Sequence, residues 1–166
     1  MTKLLNFPSE VNDTSARIVA TGAVVMSAGY AISGWSWILI PLTYGFMARV
    51  LAGPTFSPLA RLATQVITPR LRGEHRIVPG PPKRFAQGIG ALFSLTASVL
   101  LLLDLTVASR WVAAALAGPA FLEAAFGFCV GCKMFAGLMK LGVIPESVCL
   151  ECSDISSRLR AQGVLQ

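Results

Sequence analysis

Four cysteines stand in the last 38 residues of a 166-residue chain, as two pairs of identical spacing, Cys129-Val130-Gly131-Cys132 and Cys149-Leu150-Glu151-Cys152. Thiols three residues apart on one helix project from the same face about one turn from each other. Each pair can therefore close and reopen as a disulfide, or hand a sulfur atom from one thiol to a partner. The whole pattern, Cys-x2-Cys-x16-Cys-x2-Cys, also falls within the spacing of four-thiolate zinc sites. Two chemistries follow for Cys129, Cys132, Cys149 and Cys152: reaction at sulfur, or ligation of zinc or an iron–sulfur cluster. Against the metal stands the apolar helix that carries the first pair, where a zinc ribbon has turns rich in amide donors. Two matching pairs are more than cysteine as a small buried hydrophobe requires.

The elements that hold these thiols are membrane helices. The chain is 54% hydrophobic and 13% charged, about half the charge of an average soluble domain. Ile18 to Ala48 carries no charge, nor does Phe85 to Leu103, and Trp111 to Cys132 is interrupted only by Glu123. Because about 20 apolar residues cross the hydrocarbon core as a helix, the pattern predicts an all-α integral membrane protein with four transmembrane helices in two hairpins. The first hairpin covers residues 14–52, split at Ser33-Gly34. The second covers residues 84–141, with one helix from Arg84 to Val107 and one from Arg110 to Leu141. Residues 142–166 form a cytoplasmic tail with the second cysteine pair, and the whole chain reads as one membrane domain.

Between the hairpins, in residues 53–83, Ser57-Pro58 reads as a helix cap followed by proline at the first helical position. Leu59, Leu62, Ala63, Val66 and Ile67 then recur at helical spacing, which predicts a short helix in the membrane interface. Thr68-Pro69 stops it, and Pro79 to Pro82 belong to a linker. The two halves are alike: Ala16-Arg17-Ile18 can be laid on Lys83-Arg84-Phe85, and Val50-Leu51-Ala52-Gly53 on Ala124-Ala125-Phe126-Gly127. This suggests a parallel repeat of two hairpins, with convergent hairpin patterning as the equal alternative. It also sets Arg49 and Glu123 at equivalent depth. A carboxylate inside an apolar span costs about 2.5 to 3.5 kcal/mol unless it finds a partner, so the expectation is that Arg49 and Glu123 approach each other, or meet through water, within the bundle. On a continuous fourth helix Glu123 would face away from both sulfurs of the first pair.

The net charge of +6 first suggests nucleic acid, but its distribution is topological. Thirteen of the 14 basic residues fall on the side of the termini and the central loop, leaving Arg110 on the other. Both termini are therefore expected in the cytoplasm, where permanent structural disulfides are disfavoured. The Arg70 to Arg84 cluster lacks aromatic interleaving or a binding motif, so the lipid bilayer, and not nucleic acid, is the partner of these charges. The segment before Arg17 has no net positive charge, unlike a cleavable signal. Trp35, Trp37 and Trp111 read as anchors at the opposite interface. Gly127 and Gly131 form a Gly-xxx-Gly packing motif, His75 is a solitary loop residue, and Gly88-Ile89-Gly90 lacks the third glycine of a dinucleotide fold.

Three strings carry a resemblance: Gly53-Pro54-Thr55-Phe56-Ser57-Pro58, Pro82-Lys83-Arg84-Phe85-Ala86-Gln87-Gly88, and Phe126-Gly127-Phe128-Cys129-Val130-Gly131-Cys132. With them the chain resembles an uncharacterised bacterial four-helix membrane family, a domain of unknown function marked by an Arg-Phe-Ala-Gln helix entry and a Phe-Gly-Phe-Cys-x-Gly-Cys exit. The likeness spans about residues 11 to 155 and departs at Val11-Asn12-Asp13-Thr14, where the family has a proline-rich approach. The resemblance implies a multi-pass protein of the bacterial plasma membrane in the company of thioredoxin-like or sulfurtransferase proteins. The expected function is a membrane dithiol that exchanges electrons or sulfane sulfur with such a partner, Lys133 supplying positive charge beside Cys132. A structural metal site and an accessory subunit of a larger membrane complex are the alternatives. Reporter fusions after Gln166 are expected to show cytoplasmic activity only; periplasmic activity would reverse the assigned orientation.

Overall fold

The computed structural model describes residues 10–53, 56–70 and 77–144. A short strand β1 (Glu10–Asn12) leads into helix α1 (Asp13–Ser33), where the Asn12 side chain caps the first turn by accepting from the N–H of Thr14 at 2.9 Å. Gly34, at φ 72°, ends α1 in the left-handed conformation that favours glycine. A tight turn (Ser36–Ile38) starts the descent of α2 (Leu39–Ala52). Helix α3 (Pro58–Arg61) is capped by Ser57 and continues through a wider π-type turn over Leu62–Ile67. Strand β2 (Ile77–Pro79) precedes α4 (Gly80–Leu102), and α5 (Thr106–Phe126) returns.

The expected fourth helix is not continuous. α5 stops at Phe126, and a separate helix α6 (Val130–Lys140) leaves at 98° to it. Gly127 makes the break: at φ 67° its N–H closes on the Glu123 carbonyl at 3.0 Å, a left-handed cap of the kind that terminates a helix. Extended backbone at Cys129 then opens α6. The Gly-xxx-Gly expectation holds for one member. An added Cβ at Gly131 would sit 2.6 Å from the Ala86 backbone, so α6 lies directly on α4, and the Phe85 and Phe135 rings meet at 5.6 Å. Gly127 serves the turn.

α1 and α4 are each long and apolar enough to cross a membrane; α5 and α6 pass the same test only as a bent pair, and the Ser36–Ala52 stretch is shorter. Their shared core contains Tyr30, Leu39, Leu42, Phe46, Ala91, Ala97, Ala113 and Leu116. Many other large apolar side chains face outward, among them Ile32, Leu92, Leu102 and Trp111. Exposed apolar surface of this extent is the kind that faces a membrane or another protein. α3 fits its expectation, burying Ala60 and Ala63 against Val19 of α1.

The two hairpins make matching contacts. β1 and β2 pair antiparallel about Val11 and Val78. Arg17, opening α1, donates to the carbonyls of Ala124 and Ala125 that close α5, at 3.2 and 2.8 Å. Arg84, its counterpart opening α4, donates to the carbonyl of Val50 near the end of α2 at 3.1 Å. Ser27 and Ser94 are both fully buried, and Leu42 and Leu116 are buried on the second helices. At the far end Arg110 caps α1 through the carbonyls of Ala31 and Ile32, each at 2.8 Å, and Tyr30 and Ser109 share a 2.7 Å hydroxyl hydrogen bond. Helix ends need partners for their last carbonyls, and here each hairpin supplies them to the other.

Because Gly131 abuts backbone, Gly131→Val is expected to cost about 1 to 3 kcal/mol through overpacking. Gly137→Ala, with open space at its Cβ, is expected to leave stability equal or slightly raised. Thermal unfolding in detergent compares the two.

Candidate dithiol site

The break at Gly127 creates the site. It turns the chain so that Cys129 becomes the N-cap of α6 and Cys132 lies in its first turn, and the two sulfurs do not project side by side from the body of a spanning helix as the continuous reading implied. The Cys129 sulfur accepts the backbone N–H of Cys132 at 3.3 Å. Cys129 is 8% exposed and Cys132 half-buried, and both are free thiols. A helix N-terminus presents unpaired N–H groups and the positive end of its dipole, so it favours a thiolate at the cap.

The two thiols are inequivalent. A second hydrogen bond, from the Cys132 side chain, holds the Cys129 thiol below its ordinary range, against burial and the Glu123 carboxylate, with help from Lys83 and from the Cys132 backbone N–H. The same hydrogen bond, with burial, pushes the Cys132 thiol up. Of the two, Cys129 is the thiol that gives up its proton more readily. Both residues lie beyond the end of α5, on a helix of 11 residues that rises only about 16 Å and cannot cross a bilayer.

Beneath the thiols lies a buried charge cluster that sequence reasoning did not assemble. Lys83, 5% exposed, donates to Glu123 and to Asp13, the latter at 3.3 Å. It ties the first turn of α4 to the last turn of α5 and the first residue of α1. Losing one partner of such a pair strands a buried charge, at about 3 to 5 kcal/mol. Glu123 and Arg49 do share one cavity and feel each other's charge, but the direct hydrogen-bond partner of Glu123 is Lys83, which approaches along α4. Arg49 donates instead to Gln87 at 2.8 Å and to Ser57 at 3.3 Å. The separation of Glu123 from the sulfurs also fails, because it assumed a straight helix. Its carboxylate and Cys129 line one cavity. Nor is Lys133 the cation that acts on the sulfurs; its ammonium lies over the Phe128 ring, 5.7 Å from the centroid, and Lys83 takes that role.

Cys129 stands between two spaces. An outer cleft of about 370 Å³ is lined by Asp13, Lys83, Phe128, Cys129, Cys132 and Lys133. An inner, mostly apolar cavity of about 280 Å³ reaches Cys129 but not Cys132. The sequence signal for Lys83 was present in the Pro-Lys-Arg-Phe string, but its charge had been assigned to topology. Cys149 and Cys152 lie outside the described residues, and with them the meeting of the two pairs and the four-thiolate zinc or iron–sulfur site. Among the described residues no three His, Cys, Asp or Glu side chains gather to hold a metal.

The chain belongs to the family described as Domain of unknown function (DUF4395), whose model matches residues 11–140. No curated protein and no solved structure matches it.

With Cys129 depressed and Cys132 raised, iodoacetamide is expected to modify Cys129 first, at a pH below that of an ordinary thiol near 8.5. Cys132→Ala removes the stabilising donor and should move the Cys129 profile to higher pH. Peptide mass mapping across a pH series reads both; preferential labelling of Cys132 would invert the assignment.

Proposed function

We propose that this member of the family is a four-span membrane dithiol protein whose Cys129 and Cys132 exchange electrons or sulfane sulfur with a soluble thioredoxin-like or sulfurtransferase partner. The observation that carries the reading is the placement of Cys129 at the cap of α6, hydrogen-bonded by Cys132 and open to the outer cleft. A Cys-x-x-Cys pair at a helix N-terminus is the arrangement in which a thiolate persists at neutral pH.

In the electron-transfer form, the Cys129 thiolate attacks one sulfur of a partner disulfide, a mixed disulfide forms, and the partner's other sulfur leaves as a thiolate. Cys132 then loses its proton, attacks the Cys129 sulfur and releases the reduced partner, leaving a Cys129–Cys132 disulfide. In the sulfur-transfer form, the same thiolate takes the outer sulfur of a partner persulfide and the partner departs as a thiol. Both forms use Cys129 as the attacking group and Lys83 as the buried cation that steadies its charge.

Four spans follow if α2 and α5 cross beside α1 and α4, which the hairpin packing and outward apolar surface support. The start of α1, the end of α2, the start of α4 and the dithiol share one end of the bundle. The basic residues Arg17, Arg49, Lys83, Arg84 and Lys133 lie at that end, which favours the cytoplasmic face of a bacterial plasma membrane.

The test is capture of the mixed disulfide. With Cys132→Ser, the intermediate cannot resolve, and incubation with an oxidised thioredoxin-like protein is expected to leave a covalent adduct at Cys129 that dithiothreitol releases. Cys129→Ser is expected to form at least about tenfold less adduct, since removal of the nucleophile abolishes the step. Adduct on neither variant with either partner class, or stoichiometric zinc held by the four cysteines, would overturn the reading.

A further inference from the structure

The inner cavity has walls of one kind and an end of another. Val19, Ala23, Phe93 and Leu116 make its sides, whereas Arg49, Glu123 and Cys129 sit on its lining as well. Arg49 is 4% exposed. Its Nε and Nη1 are used by Gln87 and Ser57, but Nη2 is buried with no hydrogen-bond partner among the described residues. An unanswered guanidinium N–H in an apolar surround costs free energy, and the group that would satisfy it is an acceptor carried on an apolar body.

Cys129 narrows the choice. It is the one thiol of the pair that reaches this cavity, while both thiols reach the outer cleft. A ligand that enters from the hydrocarbon side would lie against the nucleophilic sulfur, with an oxygen acceptor in reach of Arg49 and the Phe46 and Phe93 rings along its walls. The volume of about 280 Å³ is near the lower end of small-molecule pockets, about 300 Å³, which fits a single substituted ring whose tail stays in lipid. A planar, lipid-soluble, two-electron acceptor with carbonyl oxygens meets every term.

We propose that this cavity binds the head group of a membrane quinone and that the Cys129–Cys132 dithiol reduces it. The inference rests on the dithiol reading above and adds the membrane-side acceptor. The Cys129 thiolate and Cys132 thiol together give up two electrons and form the S–S bond; the S–H bond of Cys132 breaks. The quinone takes both electrons and two protons, one from Cys132 and one from solvent at the outer cleft, and leaves as quinol. Arg49 donates from Nη2 to the quinone oxygen that gains charge. Soluble thiols would then rereduce the disulfide from the cleft, so that Cys129 passes electrons from the aqueous partner to the lipid phase.

The experiment uses the full-length protein in detergent, reduced, desalted and held without oxygen, with decylubiquinone and a short-chain naphthoquinone as probes. One quinol is expected per Cys129–Cys132 disulfide, counted by quinol absorbance and by alkylation mass. Arg49→Gln is expected to raise the apparent KM for quinone about tenfold, the scale of one charge-assisted hydrogen bond, with a smaller change in kcat. Because Arg49→Gln also touches packing, Ala120→Leu, which fills the cavity from α5, supplies a second variant and is expected to weaken quinone binding measured by equilibrium dialysis on the Cys129→Ser background. Quinone reduction unaltered by either variant, or a cavity that takes oleate and no quinone, would overturn the proposal. Wild-type protein that forms the mixed disulfide with a soluble partner yet leaves quinone oxidised overturns this inference alone; failure of both reactions removes the dithiol reading as well.

Discussion

One lysine governs the geometry of the site. Lys83 is buried at the start of α4 and meets Glu123 from α5 and Asp13 from α1, so three helix ends from both hairpins converge on a single ammonium. A cation without counter-charges could not remain in this position, and two carboxylates without the cation would repel. Glu123 is also the residue whose carbonyl Gly127 uses to end α5. The same residue thus fixes the ion cluster through its side chain and the helix break through its backbone. The thiols inherit their position from that coincidence, since Cys129 opens α6 only two residues past the turn.

The burial of α6 completes the arrangement. Gly131 permits it to lie on the Ala86 backbone, and Phe135 packs on Phe85, so the helix whose N-terminus faces the sulfur is held to α4, the helix that also carries Lys83. Positive charge at Cys129 comes from two sources on one rigid support, the α6 dipole and the Lys83 ammonium. Cys132 adds a hydrogen-bond donor from within α6 itself. A thiol set up in this way needs no loop closure to reach the outer cleft.

Much of the scaffold was legible in the chain. Uncharged runs marked the helices, Ser57-Pro58 marked the start of α3, and the Arg17 and Arg84 strings marked the two halves. The cysteine pair was legible as chemistry but not as geometry. A glycine inside an apolar run is equally at home in a packing motif and in a left-handed turn, and only the three-dimensional demand that α6 lie on α4 selects the turn. Lys83 was hidden for a different reason. Its charge is accounted for by topology alone, while its partners Asp13 and Glu123 are distant in sequence and are joined to it only by the folding of one hairpin on the other. Arg49 shows the same limit: equivalent depth to Glu123 was readable, but the competing donors and acceptors around it were not.

The reciprocal arginine caps give the two hairpins a dimer-like relation. Capping each other through Arg17 and Arg84 and joined by an antiparallel strand pair, they meet as the two subunits of an isologous dimer would. In a homodimer the axis would force identical side chains on both copies, so that the places now held by Arg49 and Glu123 would oppose like charges. Covalent linkage frees the halves from that identity. One half can carry the cation and the other the carboxylate, and a near-symmetric framework thereby holds a polarised, single-sided centre without altering its architecture.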